Sequence, residues 1–270
     1  MYYNRFFRKT QLEARPMYEY FEKTYTIRST DVDIFELCRP SALLGFFQDM
    51  ATDHAQVLHM DQDYLTAKYN AAWLLVRMWY RLERPLRMGE EITFRTWHRG
   101  AGGLILYRDF DLFAGEEPVG EAVSAWVVAD RSNRKMLRPG LIENIAASPV
   151  PEITKDRQLK LIRTPKNKKF VHKREVRYSD LDLNGHMNNT KYADVIMDAL
   201  TAAELQGRYV QELQLNYSME CGPGETMDIY RLMDSDSCYI DGCGEDSARR
   251  FEATLQFAPY SDLTANGLVE

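Results

Sequence analysis

Cysteine is scarce in this chain, which has only Cys38, Cys221, Cys238 and Cys243 among its 270 residues. These cysteines form no C-x-x-C pair and no metal-site spacing, so the sequence predicts free thiols in a reducing compartment. Long apolar runs are also missing, and no stretch approaches the length of a membrane span. The basic, aromatic N-terminus lacks the apolar centre and cleavage site of a signal peptide. We therefore expect a cytoplasmic protein without a membrane span.

Positive charge is in the minority, with 34 Lys and Arg residues against 40 Asp and Glu residues and a net charge of -6. This balance argues against a general nucleic-acid-binding protein. His54 and His59 are five residues apart, a spacing that does not place two metal ligands on one helical face. We therefore expect neither a metal nor another cofactor. A chain of this length can hold two domains that each bury a core.

An internal repeat is the main structural signal of the sequence. The segment from Tyr25 to Ala55 aligns with the segment 149 residues later, and the alignment places Asp31 on Asp180 and Asp33 on Asp182. Further along the chain the offset falls to 135, so the first copy carries about fourteen extra residues within positions 56–70. We expect this insert to form a lid or a pocket wall.

Each copy reads as a strand, a polar turn, an amphipathic helix and then a series of short strands. In the second copy, Phe170, Val176 and Tyr178 share the inward parity of the strand. Apolar residues recur from Tyr192 to Ala203 with the helical period, and Asn188, Asn189 or Thr190 can cap this helix. Short strands separated by tight turns predict antiparallel pairing. The sequence therefore predicts an α+β protein in which a helix packed against a curved sheet occurs twice.

Three runs resemble the motifs of the acyl-acyl carrier protein (acyl-ACP) thioesterases. They are DLDLNGHMNNTKY at 180–192, LNYSMECG at 215–222 and SAWVVADRSNRKMLRP at 124–139. Plant members carry a long transit peptide that this sequence lacks, so the chain resembles a bacterial member. Gly185 stands where plant members usually have Gln.

This resemblance implies two tandem hotdog domains, each a long helix wrapped by a curved antiparallel sheet. The expected boundaries are 1–150 for an N-terminal domain that holds the acyl chain, 151–166 for a linker and 167–270 for a catalytic C-terminal domain. We expect the two sheets to form one continuous surface. The implied activity is hydrolysis of the thioester of fatty acyl-ACP, which releases free fatty acid and ends chain elongation in fatty acid biosynthesis.

The repeat itself indicates which copy does chemistry, because the second copy has polar residues where the first has apolar ones. The aligned pairs are Asn184 with Phe35, His186 with Leu37, Glu220 with Pro85, and Cys221 with Leu86. Only the second copy can therefore run acid-base chemistry. Asp180 and Asp182 occur in both copies, which fits a structural role in the turn. The resemblance nonetheless gives Asp182 a place in the catalytic network.

Thioester hydrolysis needs donors for the carbonyl oxygen and a nucleophile aimed at the carbonyl carbon. We expect Glu220 and His186 to act as acid and base, Asn184 to hold the carbonyl or the water, and the backbone N–H groups of 187–189 to point outward at the oxyanion. Family descriptions leave two mechanisms open, a Cys-His-Asn triad with Cys221 as nucleophile and an Asp-Asn-His-Glu network that activates water. We favour Glu220 as the base, with Cys221 nearby and assisting.

The first copy is expected to hold the acyl chain. Phe46, Phe47 and Met50 on its helix either form core or line the acyl tunnel, and Asn188 and Asn189 are further candidates for substrate binding. The other histidines, His98 and His172, are expected on strand surfaces.

The implied partner is acyl carrier protein bearing a 4'-phosphopantetheine-linked chain, and a homodimer is left open. The basic run at 155–174 reads as a solvated linker face. That run, or RSNRK at 131–135, can also dock an acidic carrier protein.

Two other classes of function remain open at this point. One is a hotdog hydratase or dehydratase that acts on the same carriers and releases no free fatty acid. The other is a non-catalytic acyl sensor, which does not need the Asn-His-Glu-Cys set. No DNA-binding pattern precedes the predicted fold.

Overall fold

The computed structural model describes residues 20–146 and 155–260. In these ranges the strands are β1 Phe21–Thr26, β2 Ala71–Leu82, β3 Glu91–Gly102, β4 Ile105–Ala114, β5 Glu117–Asp130, β6 Lys169–Glu175, β7 Arg208–Tyr217, β8 Thr226–Met233, β9 Ser237–Gly244 and β10 Arg249–Pro259. The helices are α1 Pro40–Val57, α2 Gln62–Tyr69, α3 Glu143–Ala146, α4 Lys191–Asp198 and α5 Ala202–Leu205. No helix within the described residues is long and apolar enough to cross a membrane.

One antiparallel sheet contains all ten described strands, in the order β1-β3-β4-β5-β2-β7-β10-β9-β8-β6. The two halves of this order mirror each other, so every strand of the first copy has its repeat partner at the same distance from the centre. At the centre β2 pairs with β7, with Arg77 opposite Asn216 and Arg81 opposite Glu212. The predicted α+β fold and the continuous sheet are therefore confirmed. The domain boundaries stay a prediction.

Backbone hydrogen bonds reproduce the repeat atom by atom. The N–H of Cys38 donates to the carbonyl of Leu86 at 2.8 Å, and the N–H of Met187 donates to the carbonyl of Cys221 at the same distance. The two donors are 149 residues apart in the sequence and the two acceptors are 135 apart. The equivalent bonds therefore show both offsets of the sequence repeat. The corresponding pairs of bonds also include Ile27 to Glu90 with Val176 to Glu225, and Arg28 to the Asp31 carboxylate with Arg177 to the Asp180 carboxylate.

The second copy departs from its predicted helix and strand in two places. Helix α4 ends at Asp198, because Thr201 and Glu204 form a capping box that starts α5, and Ala203 is exposed rather than on the buried stripe. Phe170 and Tyr178 are also exposed, at 54% and 92%. The strand ends at Glu175, and Tyr178 begins a 3-10 turn instead of continuing the inward alternation.

The insert of the first copy forms helix α2 and packs against the sheet. Met60 and Leu65 lie in a small core with Leu106 and Val128, separate from the main core between the larger helices and the sheet. The insert ends at Asn70, which adopts the left-handed conformation with φ of 49° and terminates the helix. The insert therefore packs against the sheet and supports it.

The segment between the copies runs across the sheet face opposite the main core. Leu159 is buried against Trp79 and Val123, and its carbonyl accepts from the Arg77 guanidinium at 2.8 Å. The Arg157 guanidinium lies 3.6 Å from the centroid of the Trp79 ring.

Basic residues at both ends of this segment pair with carboxylates of the sheet. Lys155 lies 2.7 Å from both Asp111 and Glu121, and Lys168 pairs with the fully buried Asp241. The prediction of a solvated linker face was therefore wrong for Lys155 and Lys168, which are 21% and 20% exposed and pair with acids of the sheet face, one of them the buried Asp241.

The buried Leu159 gives a direct test of this contact. We expect Leu159→Ala to lower the free energy of unfolding by about 2 kcal/mol or more, because it removes buried methyl groups and leaves a cavity beside Trp79. Leu161→Ala is the matched control, since Leu161 is 73% exposed, and its effect should stay within about 0.5 kcal/mol. Urea unfolding followed by tryptophan fluorescence measures both. Equal effects of the two substitutions would contradict the packing of this segment on the sheet.

Candidate active site

A tight turn between β6 and α4 presents the polar residues of the second copy. The Asp180 carboxylate accepts from the Arg177 N–H at 2.7 Å and pairs with Arg174, which anchors the start of the turn. The Asp182 N–H donates to the carbonyl of His186 at 2.9 Å and closes the loop. Asp180 is therefore a structural residue, in keeping with its occurrence in both copies.

Gly185 occupies a left-handed position in this turn, with φ of 77°. The aligned residue of the first copy, Glu36, has φ of 60°, so the turn needs this conformation in both copies. Glycine adopts it without the steric cost that other residues meet.

His186 and Glu220 come together at the surface. The His186 Nε2 atom lies 3.7 Å from the Glu220 carboxylate, and the two side chains are 34% and 41% exposed. Glu220 follows the end of β7 at Tyr217 by three residues, and the bond from the Met187 N–H to the Cys221 carbonyl ties the two segments together. The two side chains are 34 residues apart in the sequence, and the fold brings them next to each other at the protein surface.

Arg134 completes this group from the first copy, and the sequence did not identify it as a site residue. Its guanidinium lies 3.1 and 2.9 Å from the two oxygens of the Glu220 carboxylate. The only signal in the sequence was the basic run RSNRK, which predicts a docking surface rather than a contact with Glu220.

Cys221 points the other way from Glu220. Its side chain is fully buried in the main core, with Sγ 3.7 Å from the Met227 sulfur. Burial raises the pKa of the Cys221 thiol to about 11, so the thiol is protonated at neutral pH. The structure therefore places Cys221 beside the site in sequence but inside the core in space.

Asn184 is exposed and held by Asp182. One Asp182 oxygen accepts from the Asn184 N–H at 2.8 Å, and the other lies 3.5 Å from the Asn184 amide nitrogen. In the first copy Asp33 accepts from Phe35 in the same way, at 2.9 Å. The Asp182 carboxylate is thus a turn-forming group that also fixes the direction of Asn184.

The start of α4 offers fewer free N–H groups than predicted. The N–H groups of Met187 and Asn188 donate to the carbonyls of Cys221 and Asp180 at 2.8 Å, so the expectation that both point outward was wrong. The Asn188 side chain accepts from the N–H and hydroxyl of Thr190, at 2.9 and 2.8 Å, and fixes the helix entry. The carbonyl of Asn189 accepts from the Tyr217 hydroxyl at 3.1 Å.

A narrow apolar cavity lies between residues of this segment and the first copy. Asn189, Thr190 and Tyr217 line it from the second copy, and the other lining residues are Leu44, Phe47, Gln48, Leu75, Met78, Phe110, Ser124 and Trp126. Eight of the eleven lining residues therefore belong to the first copy.

The three candidates on α1 have different surroundings. Phe47 lines the cavity, whereas Met50 is fully buried in the main core. Phe46 is half-buried and packs on Tyr25 and Phe94, with ring centroids 4.7 and 5.6 Å away. Of these three, only Phe47 touches the space that a ligand can fill.

A second narrow cavity lies at the aligned place in the first copy. Leu37, Pro85 and Leu86 line it where the second copy has His186, Glu220 and Cys221. This second cavity therefore has the position of an active site without its acid-base groups.

Two further histidines are buried, and the prediction that His98 lies on a strand surface was wrong. His54 and His98 are 2% and 4% exposed, and His54 Nδ1 lies 2.7 Å from the Arg108 guanidinium. Burial, with Arg108 nearby, lowers the pKa of His54 to about 2 and that of His98 to about 3. Both rings are neutral at physiological pH.

Comparison with known proteins identifies the family. Residues 18–144 match the acyl-ACP thioesterase N-terminal domain and residues 163–251 match the acyl-ACP thioesterase C-terminal domain. A chloroplastic palmitoyl-acyl carrier protein thioesterase from Gossypium hirsutum is 25% identical over 215 residues, which cover 75% of this chain and 52% of the relative. The chain spans about half the length of the first curated relatives that it matches.

Two solved structures share the fold. An acyl-ACP thioesterase from Bacteroides thetaiotaomicron superposes with a TM-score of 0.82 at 19% identity, over 89% of this chain and 98% of the other. The 12:0-ACP thioesterase from Umbellularia californica superposes with a TM-score of 0.79 at 18% identity, with the same coverage of both chains. The two domain matches together cover well over half of the sequence, and the chain belongs to the acyl-ACP thioesterase family.

Proposed function

We propose that this protein hydrolyses the thioester of fatty acyl-ACP and releases free fatty acid, which ends chain elongation in fatty acid biosynthesis. One observation carries the proposal. The His186 and Glu220 pair stands at the start of α4, and the next residues of that segment, Asn189 and Thr190, line an apolar cavity. An acyl chain in this cavity brings its thioester to the end of the cavity that lies beside the acid-base pair.

The proposed reaction is a direct attack by water. Glu220, assisted by His186, takes a proton from water as its oxygen bonds to the carbonyl carbon. The C–S bond then breaks, the proton held by the base passes to the departing pantetheine sulfur, and the carboxylic acid that forms loses its own proton to solvent and leaves as a carboxylate. A positioned base of this kind typically contributes roughly 10²–10⁴ in rate.

Stabilisation of the oxyanion requires a hydrogen-bond donor that is not already bonded within the turn. We assign this role to the Asn189 N–H at the positive end of α4, and assign Asn184 to the water or the carbonyl. Asp182 supports Asn184 through the contacts described above.

Cys221 has no covalent role in this scheme. A nucleophilic thiol needs exposure and a lowered pKa, whereas burial raises the pKa of the Cys221 thiol to about 11. Glu220 is the exposed member of the adjacent pair and the one that faces His186. Cys221 serves the site through its backbone carbonyl, which accepts from the Met187 N–H.

The proposed partner is an acidic carrier protein, and the segment 131–138 suits it. Besides Arg134, which contacts Glu220, this segment contains Arg131, Lys135 and Arg138, all exposed, and no acidic residue. It lies beside Glu220, where the carrier must approach to deliver its pantetheine arm. The reaction needs one chain only, because both cavity and pair lie within it, so a homodimer stays a prediction. The expected cytoplasmic location also stays a prediction, and the four cysteines, all free, are compatible with it.

Substitution at the adjacent pair separates the two mechanisms. We expect Glu220→Gln to lower kcat by roughly 10²-fold or more, because it keeps the shape and removes the base, whereas Cys221→Ala retains most of the activity. Iodoacetamide should leave the enzyme active, because burial raises the pKa of all four cysteine thiols. Mass spectrometry of free fatty acid released from a defined acyl-ACP gives the rates.

An acyl group trapped on Cys221 together with an inactive, folded Cys221→Ala variant would overturn water activation. A wild-type protein that converts acyl-ACP without releasing free fatty acid would instead favour a hydratase, and one that binds without turnover would favour a sensor.

The cavity predicts which residues of α1 set the product profile. Phe47→Leu and Phe47→Ala should lengthen the released fatty acids, because they enlarge the cavity, while Met50→Leu should leave the profile unchanged. Two methylenes change affinity by only about 15-fold, at about 0.8 kcal/mol each, so a sharp limit on length needs a wall. Fatty acids secreted by a host that expresses each variant are measured by gas chromatography. A profile that responds to Met50 and not to Phe47 would refute the assignment of this cavity to the acyl chain.

A further inference from the structure

The Glu220 carboxylate lies between two groups that come from different copies. His186 of the second copy approaches to 3.7 Å, and Arg134 of the first copy contacts both carboxylate oxygens. Glu220 follows the end of β7, outside any strand or helix, and is 41% exposed. A carboxylate on an exposed connecting segment has several rotamers available, and contact with both of its oxygens selects one of them.

This ion pair contributes little to the stability of the fold, because Arg134 is 61% exposed and water screens its charge. Its geometry is nevertheless closely specified. One guanidinium nitrogen, Arg134 Nη1, lies 3.1 and 2.9 Å from the two carboxylate oxygens, and this nearly symmetric contact favours one direction of the Glu220 side chain. The contact therefore bears on where Glu220 points rather than on how firmly the two copies associate.

The loop that carries Arg134 is itself held rigidly. Arg134 has φ of 60° and its N–H donates to the Asp130 carbonyl at 2.9 Å. The Asp130 carboxylate accepts from the N–H groups of Ser132 and Asn133, at 2.8 and 3.1 Å. Lys135 closes the turn with a bond from its N–H to the Asn133 side chain at 2.9 Å. The loop thus projects Arg134 at a fixed point beyond the end of β5.

The insert of the first copy braces the same loop. The Asn70 carbonyl accepts from the Arg131 N–H at 2.9 Å, and the Asn70 amide donates to the Ser132 hydroxyl at 2.7 Å. The Arg131 guanidinium lies 3.5 Å from the Thr66 hydroxyl on α2. The residues that the first copy adds to the repeat therefore support the loop that reaches the reactive pair of the second copy.

We propose that Arg134 is a positioning residue for Glu220, supplied by the first copy and held by Asn70 of the insert. The inference rests on the proposed function, in which Glu220 is the base. Arg134 holds the carboxylate beside His186 and leaves the proton-accepting direction facing the bound thioester. A displaced base costs up to about 10²-fold in rate without changing how the acyl chain binds.

The test measures kcat and KM separately for purified protein with one defined acyl-ACP. We expect Arg134→Ala to lower kcat by about 10-fold to 10²-fold with KM little changed. Arg134→Lys should fall in between, because an ammonium keeps the charge but lies on a flexible stem that holds the carboxylate less firmly. Ser132→Ala, which removes the brace from Asn70, should lower kcat by a smaller factor. Arg81→Ala removes an arginine from an exposed ion pair with Glu83 and is the control, with kcat and KM unchanged.

A double-substitution cycle isolates the effect on the base. In a Glu220→Gln background Arg134→Ala should add less than about a twofold loss, because no base is left to position. A raised KM with unchanged kcat would overturn the proposal and assign Arg134 to binding of the anionic carrier. Full additivity with Glu220→Gln, or a kcat unaffected by both Arg134 variants, would overturn it as well. Wild-type protein that releases no fatty acid defeats the proposed function itself, whereas an active wild type with an indifferent Arg134 defeats this inference alone.

Discussion

The structure depends on one backbone hydrogen bond that occurs in each copy, from the N–H of Cys38 to Leu86 and from the N–H of Met187 to Cys221. Each bond joins the polar turn before a helix to the segment that follows a central strand. In the second copy this junction sets His186 against Glu220, and in the first it sets Leu37 beside Pro85. A backbone hydrogen bond forms whatever the side chains are. The same backbone arrangement therefore carries His186 and Glu220 in the second copy and apolar residues in the first.

The two copies divide the work in consequence. In the proposed function the second copy supplies the acid-base pair, while eight of the eleven residues that line the cavity belong to the first copy. The first copy also reaches back through Arg134 to the Glu220 carboxylate. The proposed site therefore draws on both copies, which one continuous sheet joins through β2 and β7.

Several carboxylates of the sheet pair with basic residues of the segment that connects the two copies. On the sheet face away from the main core, the buried Asp241 is paired by Lys168 from the connecting segment, and Lys155 bridges Asp111 and Glu121. A buried carboxylate without a partner would be costly, so this segment is part of the fold. The cations at 131–138 remain exposed beside the site. The sequence shows both basic runs alike, but only the structure shows that Lys155 and Lys168 pair with carboxylates of the sheet.

The amino-acid sequence by itself determined the repeat, the α+β class and the asymmetry that puts His186 and Glu220 in the second copy. These features follow from local periodicity and residue type, which do not depend on how the strands pair. Only the tertiary structure decided that Cys221 faces the core, that Phe47 rather than Met50 meets the cavity, and that His98 is buried. It also decided that Arg134 reaches Glu220 across 86 residues of chain. Such facts depend on which faces of distant elements meet, and that is set by the packing of the whole sheet.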